Sequence, residues 1–249
     1  MITKDELGEY AKIRNLNLGQ AEKDYFQAIL LFILYQDYGK ELVFKGGTAL
    51  NKCFGLDRFS EDLDFTCSGR INHKKIEDGL KRFKIEYECS FREYKDGLKV
   101  VLQIKGPLFI GIRNSLCRLS IDVSLREAVM LKPEIKTIGR FLEEIPSFEI
   151  MVMQEKEILA EKIMAIVTRS KARDVYDAHF LLKRGAEFDV SLANEKLKYY
   201  NKKWSADEFK VKVHAKKGIW ESELRPLVGN IPGFNEVSEY VIQKVCKDS

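Results

Sequence analysis

Several things are scarce in this 249-residue chain, and each scarcity removes a class of protein. No apolar run approaches the roughly 20 residues that a membrane-spanning helix needs. The first ten residues (MITKDELGEY) lack the basic-then-apolar order of a secretory signal. The five cysteines (Cys53, Cys67, Cys89, Cys117 and Cys246) are odd in number and scattered, which excludes a disulfide framework and a paired-cysteine zinc site. They read as reduced, mostly buried thiols. His73, His179 and His214 are dispersed and lie beside no serine or cysteine motif, so nucleophile–histidine catalysis has no support. There is no internal repeat and no low-complexity tract. The net charge of +4 permits a nucleic-acid partner without requiring one. These absences predict a cytoplasmic protein with no membrane partner.

What is present is an ordinary globular composition, 45% hydrophobic and 32% charged, long enough to bury a substantial core. Helical patterns cover 3–14 and 20–38, the second carrying the apolar run AILLFILY, and 72–82 reads as an amphipathic helix. Alternating patterns predict strands at 84–89, 98–104 and 117–124, with a turn at Lys95-Asp96-Gly97 and a short strand at 148–153. After Gln154 the patterns are helical, at 155–168, 174–183, 190–200, 205–216 and 234–247. The expected architecture is α+β: an N-terminal mixed-sheet half with flanking helices over 1–153, then a C-terminal helical half over 154–249.

One stretch concentrates the chemistry. The buried strand Leu42-Val43-Phe44 runs into Gly46-Gly47-Thr48, where two glycines allow a tight turn and close backbone approach to a ligand. With Thr48 as the N-cap of a short helix, free N–H groups and a hydroxyl would face a phosphate. Further on, Asp62 and Asp64 in an extended segment point to the same side. Two adjacent carboxylates repel, and Mg2+ bound together with substrate phosphates is the cation that suits them. An isolated Asp-x-Asp would read as a solvated strand end paired with lysines; the glycine turn upstream favours the metal. Asp122, between Ile121 and Val123, is either an edge-strand acid in water or a third metal ligand, and Asp96 and Glu127 lie near it in sequence.

The string Lys45-Gly46-Gly47-Thr48-Ala49-Leu50 followed by Arg58-Phe59-Ser60-Glu61-Asp62-Leu63-Asp64-Phe65 resembles the signature of polymerase-β-type nucleotidyltransferases, and most closely the AbiEii/AbiGii toxin branch, which includes MenT-like toxins. Glu161-Lys162-x-x-Ala165, Arg169 and Arg173-Asp174-x-Tyr176-Asp177 resemble that branch's downstream motifs. The resemblance implies a nucleotidyltransferase-fold sheet and a Mg2+-dependent enzyme in which Asp62, Asp64 and Asp122 hold the metal. Lys45, Gly46, Gly47, Thr48, Arg58 and Ser60 would meet the nucleotide. Lys162 would contact its phosphates, and Asp174 or Asp177 would complete the site.

On pattern alone Lys162 is a lysine laid on an apolar face with its ammonium in water, and Asp174 is equally an N-cap or a catalytic acid. The lysine-rich segment 195–220, with Tyr199, Tyr200 and Trp204, is either a solvated helical face or a surface for RNA. The resemblance further implies a nucleoside triphosphate donor, an RNA acceptor such as the tRNA 3′ end, and an antitoxin partner. Two alternatives stay open: the same fold acting on a protein or small-molecule acceptor, including phosphotransfer, and an inactive nucleotide- or RNA-binding module.

Overall fold

The computed structural model describes residues 1–69, 71–126, 128–139 and 145–247; Glu127 lies outside them. Its contacts divide the chain into two compact units. The first comprises Met1–Phe54, Ser60–Ala128 and Pro133–Val152, and the second Gly55–Phe59, Val129–Lys132 and Met153–Ser249.

The first unit opens with two capped helices. In α1 (Lys4–Arg14), Thr3 and Glu6 form a reciprocal capping box, and Asn15 closes the helix in the left-handed conformation. In α2 (Leu18–Tyr38), Asn17 and Gln20 repeat the box, so each of the two start signals is local and readable. The apolar run of α2 is core: Ile29, Leu30, Leu31, Ile33 and Leu34 are buried.

Seven strands follow, β1 (Leu42–Lys45), β2 (Leu63–Cys67), β3 (Tyr87–Tyr94), β4 (Gly97–Ile104), β5 (Cys117–Ser124), β6 (Glu134–Ile138) and β7 (Phe148–Val152). They form one mixed sheet in the order β3-β4-β5-β2-β1-β7-β6. The pairs β1–β7 and β2–β5 are parallel, and the others are antiparallel. Between strands lie α3 (Gly46–Phe54) and α4 (His73–Arg82). Strict alternation in β4 and β5 buries Leu98, Val100, Leu102 and Ile104 with Leu119, Ile121 and Val123 on one face. The other face keeps the polar residues. Phe44 and Phe65, partners in register, extend the buried face with ring centroids 5.1 Å apart.

Two elements escape the periodicity reading. Strand β6 (EIKTI) is five residues on the sheet edge with three of its five positions charged or polar. Helix α9 (Trp220–Leu224) is too short to show a 3.6-residue repeat.

The second unit is helical: α5 (Glu155–Thr168), α6 (Ala172–Lys183), α7 (Val190–Lys198), α8 (Ala206–His214), α9 and α10 (Phe234–Val245). Helix α5 packs against α6, α7 and α8 and is buried on nearly all sides. At its first turn the Glu157 carboxylate accepts the backbone N–H of Met130 and Leu131, both at 2.9 Å, and the Lys196 ammonium at 2.6 Å. That fixes the 129–132 segment in this unit, although it precedes the helices by more than twenty residues in sequence. Among the described residues no helix is long and apolar enough to cross a membrane.

Lys196 is almost fully buried, so truncating Glu157 removes its shortest ion pair, 2.6 Å, and leaves the longer one to Glu161 at 3.4 Å. Glu157→Ala is expected to destabilise the protein by about 3–5 kcal/mol. Adding Lys196→Met should recover a large part of that loss in urea denaturation. Equal stability of single and double variants would contradict it.

Candidate functional site

In the first unit the strand-to-helix junction is built as a close approach. Gly46 has φ +75°, a conformation L side chains rarely adopt, and a Cβ there would lie 3.1 Å from both Cβ and Cγ of Asp64. Glycine is required twice over, by the backbone and by the neighbouring carboxylate. Helix α3 begins at Gly46 itself, so Thr48 is not its N-cap but lies inside the first turn, fully buried. The Thr48 hydroxyl donates to the backbone carbonyl of Asp62, tying the glycine turn to the acidic segment. From α2, buried Gln27 donates its amide N–H groups to the carbonyls of Ser60 and Glu61, each at 2.9 Å, and Lys23 pairs with Glu61. The backbone leading into the aspartates is therefore clamped from two helices.

The register then aligns a row of ionisable residues across five strands. Lys45 on β1 is opposite Asp64 on β2, Asp64 opposite Asp122 on β5, Asp122 opposite Lys99 on β4, and Lys99 opposite Arg92 on β3. Directly opposed residues project to the same face. The row thus reads cation, carboxylate, carboxylate, cation, cation, with Asp62 on the same face two residues before Asp64. Lys99 Nζ lies 2.7 Å from Asp122 Oδ2. That hydrogen bond, opposed by burial and reinforced by the charges of Asp122 and Asp62, raises the lysine above its usual range.

Three carboxylates on one face are the hard oxygen donors a divalent cation of the Mg2+ type takes. By residue type they fit. Among the described residues no three such side chains stand grouped as a ligand set, and Asp122 is paired with Lys99.

The second unit gathers the remaining predicted residues into a buried ion cluster. Arg58 donates from Nε and Nη2 to the two Asp177 oxygens at 2.5 and 2.6 Å, and from Nη1 to the Phe59 carbonyl at 3.0 Å. Lys162 Nζ lies 2.7 Å from Asp177 and 3.4 Å from Asp174. Arg169 closes a second bidentate pair on Asp174, at 2.8 and 2.7 Å. Three cations therefore surround two carboxylates that have no solvent exposure. Burial alone would raise both acids. For Asp177, Arg58 and Lys162 outweigh it and hold the carboxyl at about 2; for Asp174, Lys162 and Arg169 hold the carboxyl below its ordinary value.

These positions differ from the pattern-based expectations in three respects. Lys162 does not reach water along an apolar face but is buried between two aspartates. Asp174 is not an N-cap, because α6 starts at Ala172 after Lys171 and Asp174 lies in its first turn. Arg58, expected to meet a triphosphate, is 2% exposed and bound edge-on to Asp177. In the lysine-rich segment, Lys196 and Lys216 are buried, and Lys198, Lys202 and Lys210 pair with Glu195, Glu208 and Asp207. Much of its positive charge is neutralised locally.

Sequence reasoning missed Lys99 and Gln27. Lys99 was detectable as the one charge inside the run Leu98–Ile104, in step with Asp122 once the register is known. Gln27, inside an apolar helix, carried no comparable signal.

A mixed sheet with in-register aspartates beside a glycine-led helix is the arrangement of a nucleotidyltransferase. The chain belongs to the AbiEii nucleotidyltransferase toxin family of type IV toxin–antitoxin systems, whose family model matches residues 29–239. Such enzymes generally use a divalent metal, and the family pairs a toxin with an antitoxin. The fold is similar to that of MenT4, a nucleotidyltransferase toxin from Mycobacterium tuberculosis, with TM-score 0.70 and 20% identity over 100% of this chain and 91% of that one. JHP933 from Helicobacter pylori is also similar, with TM-score 0.59 and 21% identity over 92% of this chain and 94% of that one. No functionally curated protein matches the chain.

The Asp177 carboxyl has an ordinary value of 3.8 and is held at about 2 in the folded state. Its contribution to stability is thus complete above the ordinary value and is lost as pH falls from there through about 2. Asp177→Asn should cost about 3–5 kcal/mol at pH 7 by leaving Arg58 and Lys162 short of charge. The gap to wild type in urea midpoint should narrow at pH 3; an unchanged gap would refute the assignment.

Proposed function

We propose that this nucleotidyltransferase transfers a nucleotide from a nucleoside triphosphate to an RNA acceptor, the tRNA 3′ end being the leading candidate, with Mg2+ as the metal. The observation that carries the reading is the register match of Asp64 with Asp122 next to a Gly46 turn that leaves room for the Asp64 carboxylate.

In this reading the backbone N–H groups of Gly46 and Gly47 and the Lys45 ammonium bind the triphosphate, the geometry a helix N-terminus offers to phosphate. Ser60, half-buried ahead of Asp62, offers its hydroxyl to a phosphate oxygen. Asp62, Asp64 and Asp122 would hold Mg2+, which when bound neutralises phosphate charge and lowers the pKa of an attacking hydroxyl. Thr48 keeps the glycine turn at a set distance from Asp62. The acceptor hydroxyl attacks the α-phosphorus as the bond to the β-phosphate breaks. Its proton leaves to a carboxylate or solvent, and pyrophosphate departs.

Lys162 stays a proposed phosphate contact on the family resemblance alone; in the second unit its ammonium is held by Asp174 and Asp177. Asp174, Asp177 and Arg58 act as positioning residues that fix the ammonium. The division into a nucleotidyltransferase domain over 1–153 and a helical domain over 154–249 is kept as a functional description. The antitoxin is a protein or RNA that blocks this transfer, and the cytoplasm is the compartment where triphosphate and tRNA meet.

Asp62→Asn and Asp64→Asn should each lower transfer more than about a hundredfold, since even a partner of a metal ligand is worth about 10–100-fold. Circular dichroism should be unchanged. The assay incubates protein with total RNA and triphosphates labelled at the α or γ phosphorus. Retention of the α label on RNA supports nucleotide transfer. Retention of the γ label indicates phosphotransfer and overturns the reading, as does wild-type activity in either variant.

A further inference from the structure

The face of the sheet that carries the carboxylate row continues past it to an open edge. On β4 and β5 the opposite face is closed, since Leu98, Val100, Leu102, Leu119, Ile121 and Val123 are core, whereas on β3 Phe91 is exposed. There Tyr87 donates to Glu77 at 3.2 Å and His73 stacks on Phe91 at 3.7 Å, both from α4. The carboxylate face of the same strands is mixed: Glu88 and Ser90 on β3 are exposed, Val101 on β4 is half-buried and Ser120 on β5 is buried. Arg92 and Tyr94 on β3 and Arg118 on β5 are exposed, and Lys99 on β4 is half-exposed. Strand β3 ends the sheet, so nothing in the sheet lies beyond Arg92.

The chemistry of this face is that of a single-stranded nucleic-acid platform. Three basic side chains project from it, and the Arg92 guanidinium lies over one face of the Tyr94 ring, 5.1 Å from its centroid, while the ring as a whole is exposed. Cations along a backbone and a ring for base stacking are the two elements such surfaces combine. From Asp122 to the β3 edge is two strand spacings, roughly 10 Å, the rise of about three stacked nucleotides. A strand laid on the face would end at the carboxylates, where the acceptor hydroxyl must arrive. The lysine-rich segment 195–220 competes poorly for the role, because its charges are largely paired or buried.

We propose that the open face of β3–β4–β5 is the acceptor track, binding the single-stranded 3′ end of RNA through Arg92, Arg118 and Tyr94 and delivering its terminal hydroxyl to the Asp64–Asp122 row. The proposal rests on the RNA-acceptor reading above.

The test uses the full chain, with a fluorescent single-stranded RNA in anisotropy titrations across a salt series, and a fluorescent triphosphate analogue as control. The double variant Arg92→Ala/Arg118→Ala should weaken RNA binding at least about tenfold at low salt and lower the salt slope by about 1.4–2. Tyr94→Ala should weaken it about fivefold or more with the slope kept. Triphosphate binding and circular dichroism should be unchanged throughout. Wild type that transfers nucleotide to RNA, together with a double variant of unchanged affinity and slope, overturns the track and leaves the function standing. Wild type that labels no RNA overturns the function reading, and the track falls with it. Loss of affinity for the cognate antitoxin with RNA binding intact would make the face a protein-docking surface and also overturn the track.

Discussion

Mutual repulsion between two carboxylates side by side in a sheet is the constraint on which the first unit depends. Asp64 and Asp122 are register partners on parallel strands, and in that position like charges are destabilising unless something neutralises them. The protein places a lysine on either side, Lys45 opposite Asp64 and Lys99 opposite Asp122. It also brings a glycine so close to Asp64 that no other residue fits. The elements before the row serve the same end, since Gln27 and Thr48 hold the backbone through which Asp62 is presented. The row is thus an ionic arrangement in which Lys99 occupies Asp122.

The second unit solves a related problem with opposite sign. Two aspartates with no solvent exposure would be prohibitively costly alone. Arg58 and Arg169 each close a bidentate pair, and Lys162 joins the two carboxylates. An arginine fork fixes orientation as well as charge. That is why Arg58, which lies in the sequence between the glycine turn and the aspartates, is folded into the helical unit rather than the sheet. A second buried group, Glu157 with Lys196 and the N–H groups of Met130 and Leu131, pins another short segment in the same manner. In both cases a charge in the helical core selects which remote piece of chain packs there.

Much of this was legible in advance, and the reasons are specific. The capping boxes at Thr3 and Asn17 and the alternation of β4 and β5 are local signals, so most helices and strands fell close to expectation, whereas β3 runs over Tyr87–Tyr94 and not 84–89. Gly46-Gly47-Thr48 and Asp-x-Asp are short motifs whose residue types already state the chemistry. Burial was not legible. Lys162, Lys196 and Lys216 look like solvated lysines in any window of sequence, yet all three are buried against partners twelve to forty-seven residues away. Thr48 looked like a cap and proved to be a tie to Asp62, because where a helix starts is set by its backbone turn as well as by its side chains.

The amino-acid sequence by itself determined the element types, the glycine turn, the identity of the acids and, through those motifs, the family. These depend on neighbours within a few residues, where periodicity and steric preference act. Only the tertiary structure decided that Asp122 is the partner of Asp64, that Lys99 faces it, and that Arg58 belongs with Asp177. Strand register and the pairing of buried charges are settled by contacts between segments far apart in the chain, where no local preference reaches.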